Sequence, residues 1–265
     1  MLSTPDAHLV ARDPAIRGLA SVLDPEAALR TFREAAPDLD LRSLTVEYLR
    51  YKPGTNCLAR LSVDVAGVRT PGYAKAYADV HRPPTPRPEA RAFLAKSTAI
   101  EFGLFPFDRK LESLPIASDL AWASDRTPRA TAGGPRSAVV AIEPLAYKPE
   151  RRFVACWHLE DGRRYVAKTY RAEDFPNVVR RAGLARSFPD LPLVRPATIR
   201  ERRHTMVFPW IAGSTLDATL ALGAMPDADL RATGAALARL HRESPPADFS
   251  ELPSARTDVP HAETR

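Results

Sequence analysis

The chain has 265 residues, 45% hydrophobic and 26% charged, enough for one large domain or two small ones with real cores. No apolar run is long enough to span a bilayer, and the opening Met1-Leu2-Ser3-Thr4-Pro5-Asp6 lacks the basic and apolar regions of a signal peptide. Cys57 and Cys156 are too few for a disulfide framework, so a cytoplasmic protein with no membrane partner is expected. The net charge of +6 comes from basic residues spread along the chain, without a dense tract interleaved with aromatics; nucleic acid is not an expected partner, although an anionic ligand would be favoured.

In chain order, residues 15–36 read as two short helices, the second opened by Asp24-Pro25 and carrying Leu29 and Phe32 on one face. Residues 44–51 alternate as a strand, Lys52-Pro53-Gly54 turns, residues 57–65 form a second strand, and a third lies around Tyr73-Ala74-Lys75-Ala76-Tyr77. A Pro-rich linker at 82–88 leads into a predicted helix over 89–96, and residues 126–136, rich in Pro, Gly, Thr and Arg, read as a connector.

The pattern then returns. Tyr51-Lys52-Pro53 matches Tyr147-Lys148-Pro149, and Tyr73-Ala74-Lys75-Ala76-Tyr77 matches Val166-Ala167-Lys168-Thr169-Tyr170. Only six of the 38 basic residues are lysines, and four of those six fall at paired positions of the two copies. The chain therefore reads as two related strand–strand–strand–helix modules. Asp174 and Pro176 open the second helix, a strand at 197–200 turns through Glu201-Arg202-Arg203, and another strand covers 205–210. Ser214-Thr215-Leu216-Asp217 caps a short helix that Gly223 ends, residues 227–242 form an amphipathic helix, and the polar tail beyond Ser244 is expected to be loose.

This order resembles the aminoglycoside phosphotransferase family, which shares its fold with choline kinases and protein kinases. The residues that carry the resemblance are the Tyr147-Lys148-Pro149 hairpin, Val166-Ala167-Lys168, Val207-Phe208-Pro209-Trp210-Ile211-Ala212-Gly213 and Gly234-Ala235-Ala236-Leu237-Ala238-Arg239-Leu240-His241. Phe105-Pro106-Phe107-Asp108-Arg109-Lys110-Leu111 also resembles a tract of two-copy bacterial members. The fold the resemblance implies is α+β. It comprises an N-terminal module at 1–125 (two helices, a three-stranded hairpin sheet and a helix), a linker at 126–136, a kinase-like small lobe with its hinge at 137–212, and the first large-lobe helices with a tail at 213–265.

It further implies Lys168 against the phosphates of ATP, backbone around Phe208, Trp210 and Ile211 at the adenine edge, and Arg151 and Arg152 in the turn over the phosphates. The lysine of such a lobe is held by a carboxylate on the following helix. Glu89 follows Lys75 suitably, whereas Glu173 and Asp174 stand only at the start of the second helix. Magnesium would accompany ATP, and the acceptor would be a small-molecule hydroxyl. Phosphoryl transfer also uses a catalytic aspartate, with an asparagine and a second aspartate for the metal. No histidine here has Asp two residues later, and the only asparagines, Asn56 and Asn177, precede the hinge. The chain thus reads as the ATP-binding, amino-terminal part of a small-molecule kinase without catalytic or metal-binding residues of its own. The alternative is a non-catalytic nucleotide-binding or regulatory module. Apolar faces at Leu230, Leu237 and Leu240, lacking the rest of a large lobe, would favour self-association.

Overall fold

The computed structural model describes residues 2–78, 91–129, 136–184, 193–223 and 227–243. The tail beyond Ser244 and the Pro-rich linker at 82–88 lie outside them. Two compact units emerge: Met1–Asp119 with Pro144–Phe153, and Leu120–Glu143 with Val154–Arg265. The class is α+β, built on two five-stranded antiparallel sheets and a few helices.

The first unit opens with helices α1 (Thr4–Arg12), α2 (Leu19–Leu23) and α3 (Pro25–Ala35). Asp24 caps α3 as its sequence predicts, accepting from the amides of Glu26 and Ala27 at 3.0 and 3.4 Å. Strands β1 (Leu41–Lys52), β2 (Asn56–Val65) and β3 (Val68–Tyr77) form a meander, followed by β4 (Ala92–Ala95) and β5 (Ile100–Leu104) in the sheet order β1-β2-β3-β5-β4. Leu19, Val22 and Phe32 of the helices close over Leu61, Ala74 and Phe102 of the sheet, all fully buried.

Two expectations are corrected here. The first sheet has five strands where three were expected, and the helix expected over 89–96 is strand β4 where the structure describes it. Ala, Leu and Lys favour helix, but tertiary packing overrides them. β4 pairs with β5 in the register Phe93↔Phe102, Phe93 packs on Phe32 with ring centroids 5.7 Å apart, and Phe32 stacks on Phe102 at 4.4 Å. Short helix α4 (Leu114–Ala117), also not foreseen, completes the unit with the hairpin tip Pro144–Phe153.

The second unit begins with helix α5 (Leu120–Ser124), another element not foreseen. Strands β6 (Val139–Lys148), β7 (Arg152–Leu159) and β8 (Arg164–Tyr170) lead to helix α6 (Phe175–Leu184), then to β9 (Thr198–Arg200) and, through a 3-10 turn, to β10 (Thr205–Pro209). Its sheet runs β6-β7-β8-β10-β9, the same order of first, second, third, fifth and fourth strand as in the other unit. One face buries Trp157, Tyr165, Ala167 and Val207 against Ala123 and Trp122, the two tryptophans meeting edge to face at 6.0 Å. Helices α7 (Leu216–Ala221), capped by Thr215, and α8 (Asp227–Glu243) follow, and Leu230 and Leu237 of α8 are 42% and 51% exposed. Among the described residues no helix is long and apolar enough to cross a membrane.

The duplication extends to the turns. Asp13 Oδ2 accepts from the Tyr51 hydroxyl at 2.7 Å and the Gly54 amide at 2.8 Å. Asp108 Oδ2 accepts from the Tyr147 hydroxyl and the Glu150 amide, both at 2.8 Å. Asp and Tyr are 38 residues apart in the first clamp and 39 in the second. Both turns close with the same backbone bond, Thr55 to Lys52 and Arg151 to Lys148, each 3.0 Å. An aspartate thus fixes the first hairpin of each module at its tip. Replacing Asp13 by Ala would strand the Tyr51 hydroxyl and the Gly54 amide. Water reaches both donors, so the expected loss is the net worth of an ordinary hydrogen bond, about 0.5–1.5 kcal/mol, read in urea unfolding as a lower midpoint at an unchanged slope.

Candidate functional site

Each sheet carries a lysine on its third strand, and the two lysines meet different surroundings. Lys75, in the middle of β3, stands between Leu58 of β2 and Glu101 of β5. It is 6% exposed, and an ammonium taken so far from water needs a partner. That partner is Glu150, itself 3% exposed, whose Oε1 lies 2.7 Å from Lys75 Nζ. The other carboxylate oxygen accepts from Arg50 Nη2 at 2.9 Å, and Arg109 Nη2 approaches Oε1 at 3.8 Å. Three cations of the first unit therefore converge on one carboxylate.

A second acidic group backs this cluster. Glu101 accepts from the Tyr73 and Tyr77 hydroxyls at 2.7 and 2.6 Å, and the Tyr77 ring lies 4.8 Å from Lys75 Nζ. Tyr73, Tyr77 and Tyr147 are all driven above their ordinary range, first by burial and then by the neighbouring carboxylates, so they act as neutral donors. Burial likewise pushes Asp108 up, against the bonds it accepts.

Glu150 moves the other way. Burial raises its carboxyl, but Lys75, then Lys110 and Arg50, outweigh that and hold it below its ordinary value. Burial lowers Lys75, with Glu150 opposing. The carboxylate's direction governs the pair, because Lys75 and Arg50 both contact it directly.

In the second unit, Lys168 occupies the same strand position on β8 and is half-buried. It stands opposite Met206 of β10, with Val166 opposite Phe208, on the sheet face away from Trp157 and Tyr165. Its Nζ lies 4.8 Å from the Phe208 ring centroid. At the end of β10 the Trp210 amide donates to the Arg164 carbonyl at 3.1 Å, and the Arg164 guanidinium covers the Trp210 ring at 4.5 Å. Ile211, beyond it, is 62% exposed. Glu173 is ion-paired with Arg171 at 3.0 Å, and Arg171 also donates to Asp174 at 2.8 Å, fixing the entry to α6.

The structure thus brings Lys168 and Phe208 together and assigns Lys75 a carboxylate other than the one expected. Arg151 and Arg152 are exposed at the hairpin tip in the first unit, directly after Glu150. Glu89 lies outside the described residues. Reading by sequence missed Arg50, Asp108, Arg109 and Glu150. The common spacing of Asp13 from Tyr51 and Asp108 from Tyr147 was the signal that could have found the clamp.

One further group carries metal-ligand chemistry: Glu143, Cys156 and His158, whose ligand atoms lie within 4.8 Å of one another. His158 Nε2 is 2.9 Å from Glu143 Oε2. The donor set suits a borderline-soft cation such as zinc. Burial, with Glu143 beside it, raises the Cys156 thiol, so a metal would first have to displace its proton. No family model, no curated protein and no solved structure matches the chain.

The buried pair sets an acid limit on the first unit. Because Glu150 titrates lower folded than unfolded, its stabilisation is complete above its ordinary value of 4.5 and is lost as pH falls through the folded value. Asp108, shifted up, changes in the opposite sense. Glu150→Gln should therefore flatten the acid limb: stability measured by denaturant from pH 7 to pH 3 should fall less steeply than in the wild type. Parallel curves would show that Glu150 is not the titrating group.

Proposed function

We propose that the second unit binds ATP and that the chain is the nucleotide-binding part of a phosphotransferase acting on a small-molecule hydroxyl. The observation that carries this reading is Lys168, half-buried on the third strand and resting on the Phe208 ring. Protein kinases carry their phosphate lysine on the third strand of the small lobe. A lysine there meets a phosphate as a compact point charge. The apolar sheet and the ring beneath it limit its hydration and strengthen its attraction to an anion. The backbone from Phe208 to Ile211 would meet the adenine edge, and Glu173, held by Arg171 at the entry to α6, is the first acidic group after the lysine strand.

Magnesium would enter with the nucleotide. The sequence offers no His-x-Asp catalytic motif, and its two asparagines both precede the hinge. That composition favours a second reading, nucleotide binding without transfer, in a regulatory or pseudokinase-like role.

Calorimetry with magnesium-ATP tests the shared part of both readings. The wild type should bind, and Lys168→Ala should weaken binding at least about tenfold, or roughly 1.4 kcal/mol. An unchanged affinity in a folded Lys168→Ala chain would remove the basis for either. Transfer of γ-phosphate to hydroxyl acceptors then separates them, since only the first reading expects turnover.

A further inference from the structure

The turn that delivers Glu150 is built unlike its twin. Gly54 and Glu150 follow the same Tyr-Lys-Pro in the two copies and share the left-handed backbone, at φ 61° and 60°. Glycine adopts that conformation freely, whereas a glutamate there is uncommon and strained. Such strain persists where surroundings over-determine it, and it clusters at binding sites. Here the surroundings are specific. Asp108 holds the Glu150 amide at 2.8 Å, while Lys75 and Arg50 take one carboxylate oxygen each at 2.7 and 2.9 Å.

Stability alone explains the arrangement poorly, because a buried ion pair gains little over apolar residues of the same size. The geometry reads better as recognition. An ammonium and a guanidinium bind the two oxygens of one anion, and a second guanidinium, Arg109, stands 3.8 Å away. Lysine with two arginines is also the group set that holds a phosphoryl group.

We propose that Lys75, Arg50 and Arg109 form a built anion site for a phosphate or pyrophosphate group, and that Glu150 is its resident ligand. The chain's own carboxylate closes the site to such anions. Lys110, whose charge also acts on Glu150, adds to the positive field, and Glu101 and Asp108 are the acidic groups opposing it. This inference concerns the first unit alone and does not rest on ATP binding at Lys168.

The test uses the full chain with Glu150→Gln and measures inorganic pyrophosphate binding by calorimetry, in chloride buffer of matched ionic strength. The variant should bind at least about tenfold tighter than the wild type. The gain should disappear in Glu150→Gln/Lys75→Met and survive in Glu150→Gln/Lys168→Ala. A cooperatively melting Glu150→Gln chain with no gain, or a gain that survives Lys75→Met, would overturn the proposal. Glu150→Gly, which suits the left-handed backbone, serves as the second variant and should behave alike. If neither variant folds in chloride, recovery of a cooperative melt in pyrophosphate supports the site, and no recovery at equal ionic strength rejects it.

Discussion

The contact between Lys75 and Glu150 constrains the first unit more tightly than any other. Each member is too buried to be tolerated alone, since removing one partner of such a pair leaves an uncompensated charge at a cost of about 3–5 kcal/mol. The turn after Tyr147 must therefore stay where Asp108 fixes it, with its glutamate pointing at β3. Several neighbours follow from that one demand. Arg50 reaches the second carboxylate oxygen, Tyr77 lays its ring beside the ammonium, and Glu101 engages the two tyrosine hydroxyls of β3. All four carboxylate oxygens of Glu150 and Glu101 accept a hydrogen bond, while Arg50 Nε is buried without one, so the network fixes the carboxylates more firmly than the arginine.

Duplication gives this constraint its interest. Both sheets have the same strand order and a lysine on the third strand, yet the lysines have diverged in environment rather than in position. Lys75 is enclosed by its own chain's carboxylate, while Lys168 keeps a half-open face over an aromatic ring. One copy has Gly54 where the other has Glu150, and that single difference separates a turn with no side chain from one that inserts an anion.

Much of the fold was legible because strand periodicity and turn chemistry are local. The strand-forming runs of β1, β2 and β8, the Asp24 cap of α3 and the paired Tyr-Lys-Pro turns all lie within a few neighbouring residues. The failures were non-local. Residues 92–95 have helix-forming composition, and pairing with β5 together with Phe93 packing on Phe32 makes them a strand. Glu150 follows a proline in a hairpin turn, a place where a charged residue is normally solvated. Its partner Lys75 is 75 residues away, so no window of sequence joins them. The lysine stood out in the sequence, but the group that answers it did not.

A lysine placed within a sheet is a costly device, and its occurrence twice in a lysine-poor chain asks for one cause. If the position served packing alone, a methionine or leucine would serve as well at no electrostatic cost, as Met206 does opposite Lys168. The charge stands in both copies, once against the buried carboxylate of Glu150 and once beside the Phe208 ring, so packing alone does not account for the position. In the first unit the group that answers the ammonium is the chain's own Glu150, and in the second the ammonium is half-buried over the Phe208 ring.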